Sequence, residues 1–482
     1  MKYTNNIIHL AKIFGLFLFI LSCKTSQEEE KKLIDPLAHI HKGDLADVLE
    51  RGKLIVLTEN SANSYFIYKG AQMGLEYEIL KYFAKHLNVS LEMKVVKDLD
   101  HIIEMLNSGD GDLIACNYTI TKERQKEIDF SIPIMKTAQV LVQRKPDDWR
   151  TRRRKNWKKD ILTDPGDLIG KTVHVWGNSS YYKRLIHLQE ELGDTIFIKS
   201  LDGDIIPEEI IGMVANGTID YTVTDKNVAL INQRFYPNVD AELEVSVKQR
   251  IGIGVRKTSP NLRDTLNAWL ESFKTTTTFR HIKHKYLKLG ALPTKSRDEY
   301  SSIGGGKISP FDDIIREVAQ EYSWDWRFLA ALIYQESKFV DHKESWAGAY
   351  GLMQFMPQTG PSYGVFPDSS PKVQIQGGMK KIIKNWADWE EISDSIQRLK
   401  FTIASYNAGL GHVQDAQRLT EKNGLDHHMW DDNVEDYILK LSKPKYHTDE
   451  VVKYGYLRGI ETYSYVRKIF IRYNEYKNSF DE

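Results

Sequence analysis

The chain has 482 residues, too many for one hydrophobic core, since cores stop growing near roughly 250–300 residues, so two or three domains are expected. Lys plus Arg and Asp plus Glu number 66 each, a formal charge of zero that excludes a global field drawing the chain onto nucleic acid. With 41% apolar and 11% aromatic residues, the composition excludes collagen-like and disordered readings and describes a globular protein that folds without a cofactor.

Lys2 and Lys12 flank a short polar start, and Ile13 to Leu21 is apolar apart from Gly15. The run is too short to cross roughly 30 Å of hydrocarbon and reads as the core of an export signal. It ends in Ile20-Leu21-Ser22-Cys23, which resembles a bacterial lipoprotein cleavage site with Cys23 as the lipidated first residue; an ordinary signal with an incidental cysteine is the alternative. The other cysteine, Cys116, lies in an apolar stretch, so no disulfide framework accompanies the signal. Residues 1–23 are thus expected as signal peptide and 24–43 as a solvated tether, with order beginning at Asp44.

From Lys53 the pattern alternates between strand-like runs (Leu54 to Thr58, Leu91 to Val96, Leu113 to Ala115, Val140 to Gln143) and helix-like runs (Leu75 to His86, His101 to Asn107). A second stretch of the same kind follows, with Thr172 to Trp176, Tyr181 to Leu192, Ile196 to Ser200, Pro207 to Ala215 and Tyr221 to Thr224 as its elements. This alternation predicts two α/β lobes over residues 44–290, with Arg250 to Lys257 as a late strand returning to the first lobe before a helix over Asn261 to Lys274. Residues 291–308 lose periodicity, contain Gly304-Gly305-Gly306 and read as a linker. Ser309 as N-cap, Pro310 at the first helical position and Asp312 in the first turn predict a helix start. Beyond it residues 309–482 read as an all-α domain, with helices over Phe311 to Tyr322, Trp326 to Ser337, Gly377 to Asp388, Ser393 to Tyr406 and Gly455 to Asn474.

The helix Trp326 to Ser337 is apolar on nearly every side and must be buried, and its C-terminal end delivers Glu336. Burial there disfavours the charged carboxylate and moves it toward the range useful for a general acid, although a glutamate at a helix end is in itself commonplace. Four separated motifs follow in order: Glu336-Ser337; Ser345 through Met356 and Pro357, carrying Gly348-Ala349-Tyr350-Gly351-Leu352-Met353-Gln354-Phe355; Ser405-Tyr406-Asn407-Ala408-Gly409; and Glu461-Thr462 with Tyr465-Val466. The set resembles the soluble-lytic-transglycosylase family of lysozyme-like fold over about residues 309 to 475, with Thr420 to Tyr454 as extra sequence. The resemblance implies that Glu336 protonates the glycosidic oxygen between N-acetylmuramic acid and N-acetylglucosamine and then, as base, takes the C6 hydroxyl proton to leave a 1,6-anhydromuramyl end. It also implies that Ser345, Gln354, Met356, Tyr406, Asn407 and Glu461 line the cleft, with Tyr406 and Gln354 able to orient sugar or acid. A second carboxylate of motif grade is not evident; Asp341 and Glu344 are merely near in sequence.

Gly74-Leu75-Glu76-Tyr77-Glu78, then Thr119-Ile120-Thr121-Lys122-Glu123-Arg124 followed by Ile128-Asp129-Phe130-Ser131, resemble the amino-acid type of periplasmic solute-binding family. The resemblance implies a two-lobed α/β periplasmic-binding-protein fold in which Arg124 pairs with a ligand carboxylate, Thr119 and Ser179 add donors and Asp225 meets the ligand's ammonium group. The alternative is a retired binding fold in which Arg124 and Asp225 pair with surface partners. An amino acid or muropeptide is the expected ligand class, and regulation of the second module is the expected use. The basic run Arg150 to Lys159, with Trp149 and Trp157 beside and within it, reads as solvated surface, with contact to anionic wall polymers or lipid headgroups as the sharper alternative.

His427, His428 and His447 lack metal-ligand spacing and Gly304 to Gly306 is no phosphate loop, so no metal, nucleotide or other cofactor is expected. Signal, solute-binding module and all-α lysozyme-like domain in that order resemble the membrane-bound lytic transglycosylases of F type. The resemblance implies peptidoglycan glycan strands as partner, no nucleic acid, and a lipid-anchored place in the cell envelope, at the outer membrane facing the periplasm. A non-catalytic glycan or solute receptor and a hydrolytic muramidase are the rival functions.

Overall fold

A computed structural model describes residues 40–480 except 62, 202–204, 234, 290–298 and 304–305. The expected signal peptide, Cys23 and most of the expected tether lie outside the described residues.

The first lobe opens with helix α1 (Leu45–Arg51), whose Asp44 forms a capping box with Asp47, and continues through β1 (Lys53–Thr58), β2 (Phe66–Tyr68), β3 (Ala71–Met73), α2 (Leu75–Leu87), β4 (Ser90–Val95), α3 (Ile102–Ser108), β5 (Leu113–Ala115), β6 (Asp129–Phe130) and β7 (Met135–Thr137). The second comprises β8 (Gln139–Arg144), β9 (Thr172–Trp176), α4 (Ser180–Leu192), β10 (Phe197–Leu201), α5 (Pro207–Asn216), β11 (Tyr221–Asp225), α6 (Lys226–Asn232) and β12 (Val239–Asp240). The chain then returns through β13 (Gln249–Ile251) and β14 (Gly254–Val255) to α7 (Pro260–Phe273) and α8 (Thr277–His284).

Each lobe is built on a five-stranded sheet, of order β4-β1-β5-β14-β6 in the first and β10-β9-β11-β8-β12 in the second. β1 pairs in parallel with β4 and β5, whereas β14 enters antiparallel between β5 and β6. The expected late strand does cross back, as two short strands: Gln249–Ile251 pairs with β7 and Gly254–Val255 joins the main sheet, because one segment serves two sheets. β5, buried at every residue, lies in the interior of its sheet, as a short uninterrupted apolar run requires.

Helices α9 (Asp312–Glu321), α10 (Trp326–Ser337), α11 (Pro371–Ala387), α12 (Ser395–Ala408), α13 (Leu410–Lys422), α14 (Glu435–Lys440) and α15 (Gly459–Ser479) form the helical domain. Ser309 does not cap α9: Phe311 stands at the N-cap, and the Asp312 carboxylate instead accepts from the backbone N–H groups of Ile308 and Ser309 at 2.6 and 2.8 Å. α10 is buried from Trp326 through Ile333 and is capped by Asp325, which accepts from the Arg327 N–H at 2.9 Å. Between Thr420 and Tyr454 the chain completes α13, adds α14 and threads Trp430 and Val434 into the core.

One apolar cluster joins the first lobe to the helices, running from Tyr65, Phe66 and Ile67 through Ile308 and Ile315 to Leu329–Ile333 and Tyr476. The β2–β3 hairpin is the point of contact. Its Gly70 has a φ of +74°, and a Cβ there would stand 2.6 to 2.8 Å from the side chains of Tyr334, Phe339 and Tyr476, so only glycine fits. Tyr476 donates to the Gly70 carbonyl at 3.0 Å and Gln72 donates to the buried Glu475 carboxylate. Part of the expected linker is also held: the Lys69 N–H donates to Tyr300 O at 2.8 Å and the Ser302 N–H to Ile67 O at 2.9 Å.

Candidate active site

Glu336 sits half-buried in the last turn of α10. The chain turns sharply behind it, with Lys338 and Phe339 both left-handed at φ of +56° and +61°. Burial pushes the Glu336 carboxyl up to about 7, against the opposing pull of the Tyr465 phenol and the Lys381 and Lys343 cations. Tyr465, on α15 and 129 residues downstream, donates its hydroxyl to Glu336 Oε1. Lys381 reaches in from α11, where it donates to Tyr406 O at 3.1 Å and lies 3.8 Å from that ring's centre. Burial lowers the Lys381 pKa to about 8, and the Glu336 charge opposes that fall. Lys343 donates to the Glu336 backbone carbonyl. Among the described residues, the charged groups that act on Glu336 are these two cations. Asp341 instead faces His342 at 3.3 Å and Glu344 is exposed.

The loop over residues 343–356 walls the site, and most of the residues singled out there hold the loop itself. Gln354, left-handed at φ +47°, donates its side-chain amide to Lys343 O at 3.0 Å and Gly351 O at 2.9 Å. Tyr406 donates its hydroxyl to Met353 O at 2.9 Å, and Ser345 accepts from the Ala349 N–H at 2.9 Å. Gln354 and Tyr406 therefore order the wall rather than the acid, because backbone carbonyls already take their donors; Tyr465 is the side chain hydrogen-bonded to the acid. Met356 and Trp346 are exposed. Asn407, also exposed, accepts from the buried Thr462 hydroxyl at 2.8 Å. Glu461 stands on the exposed first turn of α15 in an ion pair with Arg458 at 2.9 Å, one turn before Tyr465.

Tyr465 belongs to the fourth sequence motif, whereas Lys381 and Lys343 lie outside all four. Lys381 carried a sequence signal: seven residues after Gln374 and three after Gly378, it falls on the buried face of α11, where a lone lysine needs a partner.

In the first module, Arg124 donates to Thr119 O at 3.0 Å and stacks 3.7 Å from the centre of the Tyr118 ring. Asp225 is buried at the end of β11, its Oδ2 accepting from Tyr181 at 3.0 Å and from Asn117 at 2.7 Å. Neither is engaged with an exposed salt-bridge partner in these contacts. Ser179 caps α4, and the adjacent Ser180 donates to the Thr119 hydroxyl across the lobes at 3.4 Å. In the basic run, Arg152 is paired with Asp148 and Asp160, and Lys158 with Asp240 and Glu242, so much of its charge is neutralised locally.

The model of the bacterial extracellular solute-binding proteins, family 3, matches residues 54–289, and that of the transglycosylase SLT domain matches residues 313–429. The fold and site thus define a solute-binding module joined to a transglycosylase-type helical domain. Membrane-bound lytic murein transglycosylase F of Desulfosudis oleivorans is 34% identical over 428 residues, covering 89% of this chain and 90% of the relative. The proteins of that name from Saccharophagus degradans and Vibrio cholerae are each 30% identical, covering 90% and 89% of this chain and 85% and 80% of their own lengths. The chain belongs to the membrane-bound lytic murein transglycosylase F family.

Proposed function

We propose that this chain is a peptidoglycan lytic transglycosylase that cleaves the β-1,4 bond between N-acetylmuramic acid and N-acetylglucosamine, with Glu336 as acid and then base. The observation that carries the reading is the Glu336 carboxyl held near pKa 7 by burial, with a phenol on one oxygen and, among the described residues, two cations but no acid acting on it. A carboxyl with that pKa is available in both protonation states near neutrality, as a group that must first give and then take a proton requires. Protonated Glu336 gives its proton to the glycosidic oxygen as the C1–O bond breaks, and the substrate's acetamido oxygen closes on C1. The Glu336 carboxylate then takes the C6 hydroxyl proton while O6 forms its bond to C1 and the bond from C1 to the acetamido oxygen breaks, restoring the acetamide and leaving a 1,6-anhydromuramyl end. A two-carboxylate hydrolase would instead need a partner acid about 5 to 9.5 Å away. Ser345, Gln354, Met356, Tyr406, Asn407 and Glu461 are proposed to line the strand's path, the first two and Tyr406 by fixing the loop.

The N-terminal module, residues 44–290, is proposed to bind an amino acid or muropeptide through Arg124, Thr119, Ser179 and Asp225, and to regulate cutting through the β2–β3 hairpin. Residues 291–308 join it to the catalytic domain over 309–482. Among the described residues no helix is long and apolar enough to cross a membrane. Lipidation at Cys23 is proposed to hold the chain in the cell envelope, at the outer membrane facing the periplasm, as suits a family whose members are named membrane-bound.

Mass spectrometry of purified peptidoglycan treated with the chain tests the reaction. Anhydromuramyl products that vanish with Glu336→Gln are expected; reducing ends would make it a hydrolase, and binding without products a receptor.

A further inference from the structure

Away from the catalytic site and from the seam between the lobes, the two modules meet at a cavity of about 490 Å³ that Gln72 of the β2–β3 hairpin helps to line. Helix α2 of the first lobe lines it with Lys81 and Lys85, and α15 of the helical domain lines it with Lys468 and Arg472. Residues 88–91, which carry α2 into β4, complete the lining. Each helix thus contributes two cations one turn apart, with about 5–6 Å between their Cβ atoms, the spacing at which like charges on a helix repel.

These cations lack counter-charges. Among the described residues no carboxylate lies within ion-pair distance of Lys81, Lys85, Lys468 or Arg472. Lys81 instead lies 5.8 Å from the centre of the Tyr77 ring, and Arg472 donates to the Gln335 side chain at 3.3 Å and leaves its Nε without an acceptor. Glu78 of α2 and Glu92 of β4 are engaged elsewhere, with Lys285 and Lys53. Among the described residues, Glu475 is the carboxyl that lines the cavity; its burial pushes the pKa up to about 8 against the pull of Arg472 and Gln72, so near neutral pH it is mostly uncharged. Four positive charges therefore meet at one cavity with no full negative charge to offset them.

We propose that this intermodule cavity binds a small molecule carrying two phosphate groups, one held by Lys81 and Lys85 and the other by Lys468 and Arg472. Charge selects phosphate: each group brings about −1.5 to −2 near neutral pH, so two of them match four cations, whereas two carboxylates would leave about half of the charge standing. Placement selects two groups on one scaffold, because the cation pairs belong to two different helices. The Arg472 guanidinium, with its fixed fork of donors, suits phosphate oxygens. A cavity lined by helices of both modules suits a soluble ligand rather than a flat bilayer. The bound molecule would bridge the first lobe to α15 only three residues beyond Tyr465, which donates to Glu336, so the helix that completes the acid's surroundings is the one that senses occupancy.

Calorimetric titration of the full chain with fructose 1,6-bisphosphate, fructose 6-phosphate and fructose tests it, at an ionic strength of about 0.15 M so that charges more than roughly 8 Å apart are screened. The bisphosphate is expected to bind at least about tenfold more tightly than the monophosphate, and fructose not at all. Lys85→Gln and Lys468→Gln, at exposed positions on the two helices, are each expected to weaken bisphosphate binding by about tenfold, and Lys155→Gln, in the basic run of the second lobe, to leave it unchanged. Equal binding of the two phosphates, or bisphosphate binding indifferent to either cavity lysine, would overturn the proposal. Equal weakening by Lys155→Gln would overturn it too, as the mark of overall charge rather than of a site. Failure of both sugar phosphates to bind would also overturn it; retention of the chain on phosphatidylglycerol vesicles, lost in both cavity variants, would then assign these cations to a lipid surface.

Discussion

Glu336 is held in a state that ordinary glutamates do not reach near neutral pH. Its pKa is raised on folding, so folding favours the protonated form, and the ionised carboxylate opposes folding increasingly between the ordinary value of 4.5 and about 7. Glu336→Gln is therefore expected to raise the melting temperature at pH 8, by an amount corresponding to on the order of 1–3 kcal/mol, with the gain shrinking toward pH 4.5. Thermal melts at the two pH values check this; a loss of stability at pH 8 would contradict it. Lys381 and Tyr465 both favour the ionised form of Glu336. Removing either should raise its pKa further, so in Lys381→Met and Tyr465→Phe the alkaline limb of the pH profile of kcat should move upward, by about half to one unit. An unmoved limb in both variants would mean that neither group tunes the acid. The place of Glu336 was legible in the sequence, because a buried helix ending in Glu-Ser and the motifs after it occur in one order. Its phenol was not, since a hydrogen bond spanning 129 residues leaves no mark in local periodicity.

At the level of elements, those buried on all sides were read most accurately. β5 and α10 span Leu113–Ala115 and Trp326–Ser337, the bounds expected from the sequence, because continuous burial writes itself into continuous hydrophobicity. The β2–β3 hairpin went unread, since its partners Tyr334, Phe339 and Tyr476 are supplied by distant segments; α8 and α13 were not expected either. At the start of α9 the override is local instead: the Asp312 carboxylate takes the backbone N–H groups of Ile308 and Ser309, and the Ser309-Pro310 capping pattern is not realised. The hairpin is also where one substitution tests the module contact. Gly70→Ala introduces a Cβ at positive φ against three aromatic side chains, and should destabilise the chain by about 1–3 kcal/mol, read from the denaturant midpoint. A neutral result would show that the hairpin is not tightly seated on α10 and α15.

Over the whole molecule, sequence periodicity described two modules and a linker, whereas the described structure carries one apolar cluster from the first lobe into the helices. Such a shared core couples their unfolding. The first lobe and the helical domain are expected to melt together in calorimetry, and a fragment limited to residues 309–480 to melt below the full chain; two well-separated transitions, with the fragment unchanged, would refute the coupling. α15 ties these observations together, with Tyr465 against the acid near its start and Glu475 and Tyr476 against the hairpin near its end. It follows every other described helix in the chain. A growing chain can complete both lobes and the helix that bears Glu336 while the phenol that engages its carboxyl does not yet exist. Premature termination anywhere before Tyr465 would leave both lobes in place and the Glu336 carboxyl without its hydrogen-bond donor.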